Sequence, residues 1–341
     1  MVKVGLVGIG FMGKGHLDQY LRLESEGFDV KLVALCDVDT QKFTSLSATG
    51  GNMGELGAGK YDFSKYALYS DMDEMLRKER LDYVDIALPT YLHAEYAIKA
   101  MRAGVSVLCE KPMALNPVEC QAMIDAASET GKLLMIAQCL RFWPEYETLK
   151  EYVDSGKFGK VKCAYFARHG GTPIWSYQNW LLDEDRSGGC LLDQHVHDVD
   201  MVNWLLGKPL AVAAMGVNQT PGAGFDAVST QYKYDDMVIN AQDDWSMNGA
   251  DIPFKMLFRV NFERGALVYE DGKLTVYPNG EKGFVVSGED NGYYREIKYF
   301  INRLKNGEPA AIADLKSTKQ SIEMATAERE SARKGGVWVT L

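Results

Sequence analysis

Residues 2–37 read VKVGLVGIGFMGKGHLDQYLRLESEGFDVKLVALCD, and this stretch decides the fold. An apolar run at 3–8, KVGLVG, opens into GIGFMG at 8–13, and a stretch of helical period follows to about residue 25. A second apolar run, VKLVALC at 30–36, ends on Asp37. Gly8, Gly10 and Gly13 form a G-x-G-x-x-G spacing between a strand and a helix. Each glycine has a steric reason: a tight turn, room for a ligand to approach the backbone, and close packing of helix on strand. With Phe11 and Met12, they place the N–H groups of a helix start where an anion would sit.

Working outward, the alternation continues through YVDIAL (83–88), VSVLC (105–109) and KLLMIAQ (132–138). Helical segments are predicted at about 12–25, 71–79, 92–103 and 116–130. Strands apolar on both faces and separated by helices make a doubly wound parallel sheet. The Gly-rich stretch 47–60 reads as a mobile connection beside it. After residue 139 the pattern changes. A helix at 144–155 stops at Gly156, a strand VKCAYFARH follows, and one helix is predicted over 188–206. Short strands with turn signals then run from 209 to 286, and helices at 292–305 and 315–334 close the chain. The expected class is α/β: a Rossmann domain at 1–139, then an α+β domain at 140–341 with a largely antiparallel open sheet.

Composition narrows the function. The 341 residues carry 37 Lys plus Arg against 47 Asp plus Glu, a formal net charge of −10, without a basic block. Nucleic acid and anionic membrane are therefore unexpected partners. No stretch approaches the roughly 18 apolar residues of a membrane span. The six cysteines lack C-x-x-C spacing, and Cys36, Cys109 and Cys139 lie in or beside apolar runs, so buried free thiols and a cytoplasmic location are expected.

The glycine spacing alone is weak; an acid at the end of the second strand strengthens it, and Asp37 supplies one. An ionised Asp37 accepts from the ribose hydroxyls of NAD and repels the 2′-phosphate of NADP, and no Arg stands among Val38, Asp39, Thr40 and Gln41. NAD is the expected cofactor, preferred over NADP. Ligands of open parallel sheets lie beyond the carboxyl ends of the strands, where Pro89, Thr90 and His93 follow one strand and Glu110 and Lys111 another.

With these motifs in view, GIGFMG, PTYLHAEYAIKAMRAGVSVLCEKPMALN (89–116) and SGGCLLDQHVHDVD (187–200) resemble the Gfo/Idh/MocA family over essentially the whole chain. The resemblance implies that Lys111, in the Glu-Lys-Pro element, lies near the nicotinamide and the reacting carbinol. It also implies that the D-x-x-x-H element, Asp193 and His197, is catalytic. The residues agree on a helix: Asp193, His197, Asp200 and Trp204 form one stripe, and the pair at i and i+4 can orient an imidazole. His195 stands where many members carry glycine, and the projection sends it to the packing side.

Two further features are candidates for substrate. Arg141 could reach the crevice or form a domain-boundary salt bridge. Trp175 and Trp180, near Tyr177, could stack on a sugar ring. The expected function is NAD-dependent oxidation of a secondary alcohol of a sugar, sugar derivative or cyclitol, by a homodimer or homotetramer. Its rivals are a glycosidase or epimerase using bound NAD transiently, a noncatalytic NAD-binding regulator, and a metal-dependent hydrolase built on His195 and His197. No metal is expected.

Overall fold

A computed structural model describes residues 1–44, 49–51, 54–56, 61–247 and 252–341. The chain divides into two compact units. The first holds residues 1–138, 175–180 and 293–318; the second holds 139–174, 181–292 and 319–341. The sequence reading assigns everything after residue 139 to a second domain, so the return of two later segments to the first unit is a difference.

The first unit is built on six parallel strands: β1 (Val2–Val7), β2 (Val30–Cys36), β3 (Ala67–Tyr69), β4 (Tyr83–Ile86), β5 (Ser106–Glu110) and β6 (Leu134–Ala137). Their spatial order is β3-β2-β1-β4-β5-β6, which reverses direction beside β1, the switch point at which such sheets bind ligands. Every residue of β4, β5 and β6 is buried, as a strand covered on both faces requires. The covering helices start and stop where local chemistry directs. Asp71 accepts from the Glu74 N–H at 2.8 Å to cap Met72–Lys78. Asn116 caps Pro117–Thr130, which ends at Gly131 with a φ of +64°.

The returning helix, Gly292–Asn306, buries Tyr294, Ile297, Phe300 and Ile301 on one face. Within the first unit the Phe300 ring lies 4.9 Å from that of Tyr83, Arg22 stacks 4.0 Å from the Tyr294 ring, and Lys305 bonds Asp29 at 2.6 Å. Burying those side chains stabilises by about 1.5–3 kcal/mol each, which is why a segment remote in sequence belongs here. Most of the expected connection at 47–60 lies outside the described residues; Thr49–Gly51 and Gly54–Leu56 pair as an antiparallel ribbon.

The second unit carries nine strands, in spatial order Phe284–Val286, Lys273–Pro278, Gly265–Glu270, Lys255–Phe262, Val161–Gly171, Val238–Met247, Ala227–Lys233, Ala211–Val217 and Val339–Thr340. All neighbours are antiparallel except Val161–Gly171 with Val238–Met247. One face of the sheet is buried through Phe166, Trp245, Phe258 and Val260. Of the cysteines, all free, Cys163 is exposed, which corrects the expectation that they are buried. Lys162 beside it is exposed as well, so this end of the strand lies open to solvent.

Candidate active site

The glycine turn divides its labour. A Cβ on Gly8, at φ +93°, would stand 2.4 Å from the Ala87 carbonyl oxygen, and one on Gly13 would stand 1.9 Å from that of Gly8. Both positions are closed by the protein's own backbone. At Gly10 nothing lies within 4 Å of where a Cβ would be, so the middle glycine leaves space for an incoming group. Gly10 also begins the helix Phe11–Ser25 without a side-chain cap, leaving its positive end for an anion. Asp37 Oδ2 accepts the Ile9 N–H at 2.7 Å, tying the end of β2 to this turn. Its Oδ1 accepts the Asp39 N–H at 2.9 Å. Lys42 adds an ion pair to Oδ2 at 2.8 Å. These residues fit a dinucleotide: an open glycine, a helix start and a positioned acid lie together.

Beyond β4 and β5 the predicted residues differ in what they offer. Thr90 and His93 are buried. His93 Nδ1 lies 2.8 Å from the Pro112 carbonyl oxygen and Nε2 lies 2.8 Å from that of Leu88. The imidazole is thus committed to two backbone carbonyls, and the expectation that it contacts cofactor gives way to a stapling role. Burial lowers its pKa, although both carbonyls favour the charged ring. Pro89 opens the turn Thr90–Leu92. Lys111 is half-buried and joined to Pro112 by a cis peptide bond.

Glu110 accepts the Lys111 N–H at 3.0 Å, and its other oxygen lies 3.0 Å from His16 Nε2. His16 Nδ1 is 2.8 Å from Asp85, which also accepts from Tyr20 at 2.6 Å. Burial opposes charge on His16, but Asp85 and Glu110 outweigh it and raise its pKa well above the usual value. Glu110 is buried, yet His16 holds its pKa low. Glu296, from the returning helix, brings a carboxylate oxygen within 4.8 Å of His16 and Glu110 donor atoms, with no hydrogen-bond partner on either oxygen. Burial, first, and the Glu110 carboxylate push its pKa well up, against the pull of His16. This cluster is absent from the sequence reading; Glu296 sits in an amphipathic segment whose polar residues look solvated.

In the second unit the predicted helix over 188–206 is broken. Short helices Glu184–Ser187 and Gly189–Asp193 precede Val196–Leu206. The His195 N–H reaches back to the Cys190 carbonyl at 2.8 Å, a wide turn that interrupts the regular stripe. Gln194 explains the break: its buried amide donates at 3.0 Å to the carbonyls of both Arg168 and Asp244. Asp193 and His197 flank this turn, both half-buried.

His195 lies in the core, where the projection sends it, bonded to Asp243 and, at 2.9 Å, to Glu328. Burial opposes its charge, but those two carboxylates raise its pKa to about 10. It faces acids across the packed interior, so no metal pair with His197 forms there. Asp198, beside His197, is pushed up to about 7 by burial and by Asp243, against the pull of Arg168 at 3.2 Å. Arg141 is 1% exposed and bonds Asp200 twice, at 2.9 and 2.7 Å. Its substrate reading is corrected: the guanidinium is a buried structural partner. Trp175 and Trp180, both half-buried, belong to the segment 175–180 that joins the first unit, where Tyr177 stands 5.4 Å from the Lys42 ammonium.

Residues 2–138 match the model of an oxidoreductase family with an NAD-binding Rossmann fold, and residues 146–268 match the GFO/IDH/MocA C-terminal domain. The chain belongs to this family. It is 32% identical to an uncharacterized oxidoreductase of Streptococcus pneumoniae over 64% of this chain, and the match spans 54% of that protein. It is 26% identical to the D-glucoside 3-dehydrogenase of Escherichia coli over 98% of this chain and 96% of that protein. A solved levoglucosan dehydrogenase, in complex with NADH and levoglucosan, superposes with a TM-score of 0.84 at 21% identity, over 99% of each chain, and shows the same fold. No helix among the described residues is long and apolar enough to cross a membrane.

Proposed function

We propose that this protein is an NAD-dependent dehydrogenase oxidising a secondary alcohol of a sugar, sugar derivative or cyclitol. One observation carries the reading: Asp37 is tied to the glycine turn through the Ile9 N–H at 2.7 Å, beside a middle glycine whose Cβ direction is open. Bound NAD supplies a hydride acceptor. The chain's own groups handle the proton and the charge. His197, oriented by Asp193, takes the hydroxyl proton, and the Lys111 ammonium stabilises the oxygen as negative charge develops on it. Glu110 fixes the Lys111 backbone through its 3.0 Å bond.

Asp37 favours NAD, because it accepts from a ribose diol and repels a 2′-phosphate. The names of the relatives support a sugar or polyol, since D-glucoside 3-dehydrogenase and inositol 2-dehydrogenase are among them. We assign the protein to the cytoplasm. We also assign a homodimer or homotetramer, because exposed Met215, Val217, Val238 and Tyr277 lie along the sheet strands. Gel filtration showing only a 38.0 kDa species would remove that assignment.

The deciding experiment is a screen for NAD reduction over sugars, sugar acids and inositols. Net NADH formation with a free sugar is expected. Cleavage or epimerisation without net NADH would favour transient use of the cofactor instead, and NAD binding without any turnover would favour a regulator.

A further inference from the structure

Arg168 and Asp243 stand side by side on the two parallel strands of the second unit, Val161–Gly171 and Val238–Met247, and both are buried. Facing them, in the first turn of the helix Val196–Leu206, is Asp198, also buried. Arg168 Nη2 donates to Asp198 Oδ1 at 3.2 Å. Asp198 Oδ2 and Asp243 Oδ1 have no hydrogen-bond partner among the described residues, although the two carboxyls lie within hydrogen-bonding reach of each other. Two ionised carboxylates cannot bond, since neither carries a donor; one proton between them satisfies both oxygens.

Counting charges around the pair asks for that proton. Asp243 also holds His195, which lies 2.9 Å from Glu328 on its other side. Burial keeps Tyr146 and Tyr232, which face the same cluster, neutral. His169 and Asp244, next along each strand and so on the opposite face, pair at 2.8 Å, and Arg141 balances Asp200 further along the helix. Three carboxyls, of Asp198, Asp243 and Glu328, therefore face one guanidinium and one imidazolium. An unbalanced negative charge in a core is costly, and a shared proton removes it. Burial, against the pull of Arg168, and then the charge of Asp243 raise the pKa of Asp198 to about 7.

His197 lies between two points at which its turn is fastened to these strands. One is Gln194, through the carbonyls of Arg168 and Asp244 at 3.0 Å each; the other is Asp198. With the proton present, the second fastening includes a hydrogen bond to Asp243. Without it, two like charges face each other where water does not screen them. We propose that Asp198 and Asp243 share one buried proton, and that this proton makes Asp198 a positioning residue for His197. The positioning role rests on the dehydrogenase reading above; the shared proton stands without it.

Asp198→Asn in the full-length protein tests both, because the amide keeps an oxygen for Arg168 and puts a permanent N–H donor where the proton would lie. Urea unfolding from pH 5 to 9 reads the shared proton. Asp198 keeps its proton to about pH 7 when folded, against about 3.8 unfolded, so the native state binds more protons between those values and stability is lost as pH rises to about 7. Relative to the Asn variant, the unfolding constant of the unchanged protein should climb about tenfold per pH unit between about pH 5 and 7, then level off. A flat ratio overturns the shared proton, as does an Asn variant that at about pH 8 is less stable than the unchanged protein or fails to fold.

The kcat for NAD reduction, with a sugar found in the screen above, reads the positioning role. The ratio of kcat in the Asn variant to that in the unchanged protein should stay level below about pH 6 and rise about fivefold from about pH 7 to 8, as the protonated fraction falls from about one half to about one tenth. NAD affinity should not change, and whatever His197 contributes is common to both proteins. A kcat ratio that stays level while the unfolding ratio climbs overturns the positioning role. If the unchanged protein reduces NAD with no sugar, the dehydrogenase reading fails and the positioning role falls with it, while the unfolding data still decide the shared proton.

Discussion

His93 Nδ1 sits 2.8 Å from the Pro112 carbonyl oxygen, one residue beyond Lys111, while Nε2 of the same ring sits 2.8 Å from the Leu88 carbonyl oxygen. One buried side chain thereby fastens together the loops that leave β4 and β5. A neutral ring donates to one of these carbonyls, and protonation completes the second bond.

His93→Ala should destabilise by about 1–3 kcal/mol, the scale of one lost buried hydrogen bond and the carbonyl it leaves unpaired, measured by urea unfolding. It should also lower kcat more than it weakens NAD binding, because Lys111 loses its fixed place. Unfolding data showing the expected loss with kcat intact would reduce His93 to a purely structural bond.

Lys111→Ala should cut turnover by about 100-fold or more with a much smaller change in NAD affinity, since its charge acts on an oxygen that becomes anionic during reaction. Near-normal turnover would remove it from the chemistry.

His195 and His197 should separate cleanly. His195 holds its proton to about pH 10 in the folded state, against about 6.5 unfolded. The native state then binds more protons between those values, so this contribution is complete below about pH 6.5 and disappears as pH rises towards 10. The melting temperature should fall over that interval, in the direction His16 also favours, and His195→Gln should flatten the fall. His197→Ala should instead abolish most turnover, because the hydroxyl proton loses its acceptor. A His195 variant that folds normally yet loses turnover would contradict this division.

Arg141→Met should cost about 3–5 kcal/mol, because it strands the Asp200 carboxylate in the core. The Michaelis constant for the sugar should not follow. If it rises while stability holds, Arg141 contacts substrate after all.

Glu296→Gln should be nearly silent in thermal melting, since Gln reproduces the shape of a neutral buried carboxyl. EDTA should likewise leave the melting temperature unchanged. A chelator-induced drop would instead place a cation among His16, Glu110 and Glu296.

Much of the scaffold is legible because its signals are local. The apolar runs at 3–8, 30–36, 83–88 and 105–109 fall on strands β1, β2, β4 and β5, and Gly8 and Gly13 occupy positions that only glycine fits. What escapes depends on contacts remote in sequence. Strand β3, only Ala67–Tyr69, is too short to show a period. The helix predicted over 188–206 breaks because Gln194 serves two distant carbonyls, which no propensity encodes. Lys42 stands one residue past the four that bear on the charge at Asp37, and only the turn at 40–43 brings it back. Arg141 reads as a crevice residue or a domain-boundary salt bridge until Asp200 is found beside it in the core.

The return of residues 293–318 to the first unit has a consequence for the order in which the chain is made. Between the emergence of residue 138 and residue 318 a ribosome adds 180 residues, roughly 10–40 s at about 5–20 residues per second. For most of that interval Tyr83 lacks Phe300, and His16 and Glu110 lack the neighbouring Glu296. The nascent Rossmann half thus waits, incomplete, for the other unit to be synthesised. A cassette cut at residue 139 and grafted onto another protein should expose Tyr83 to solvent and bind a hydrophobic dye, whereas one that also carries 293–318 on a linker should not.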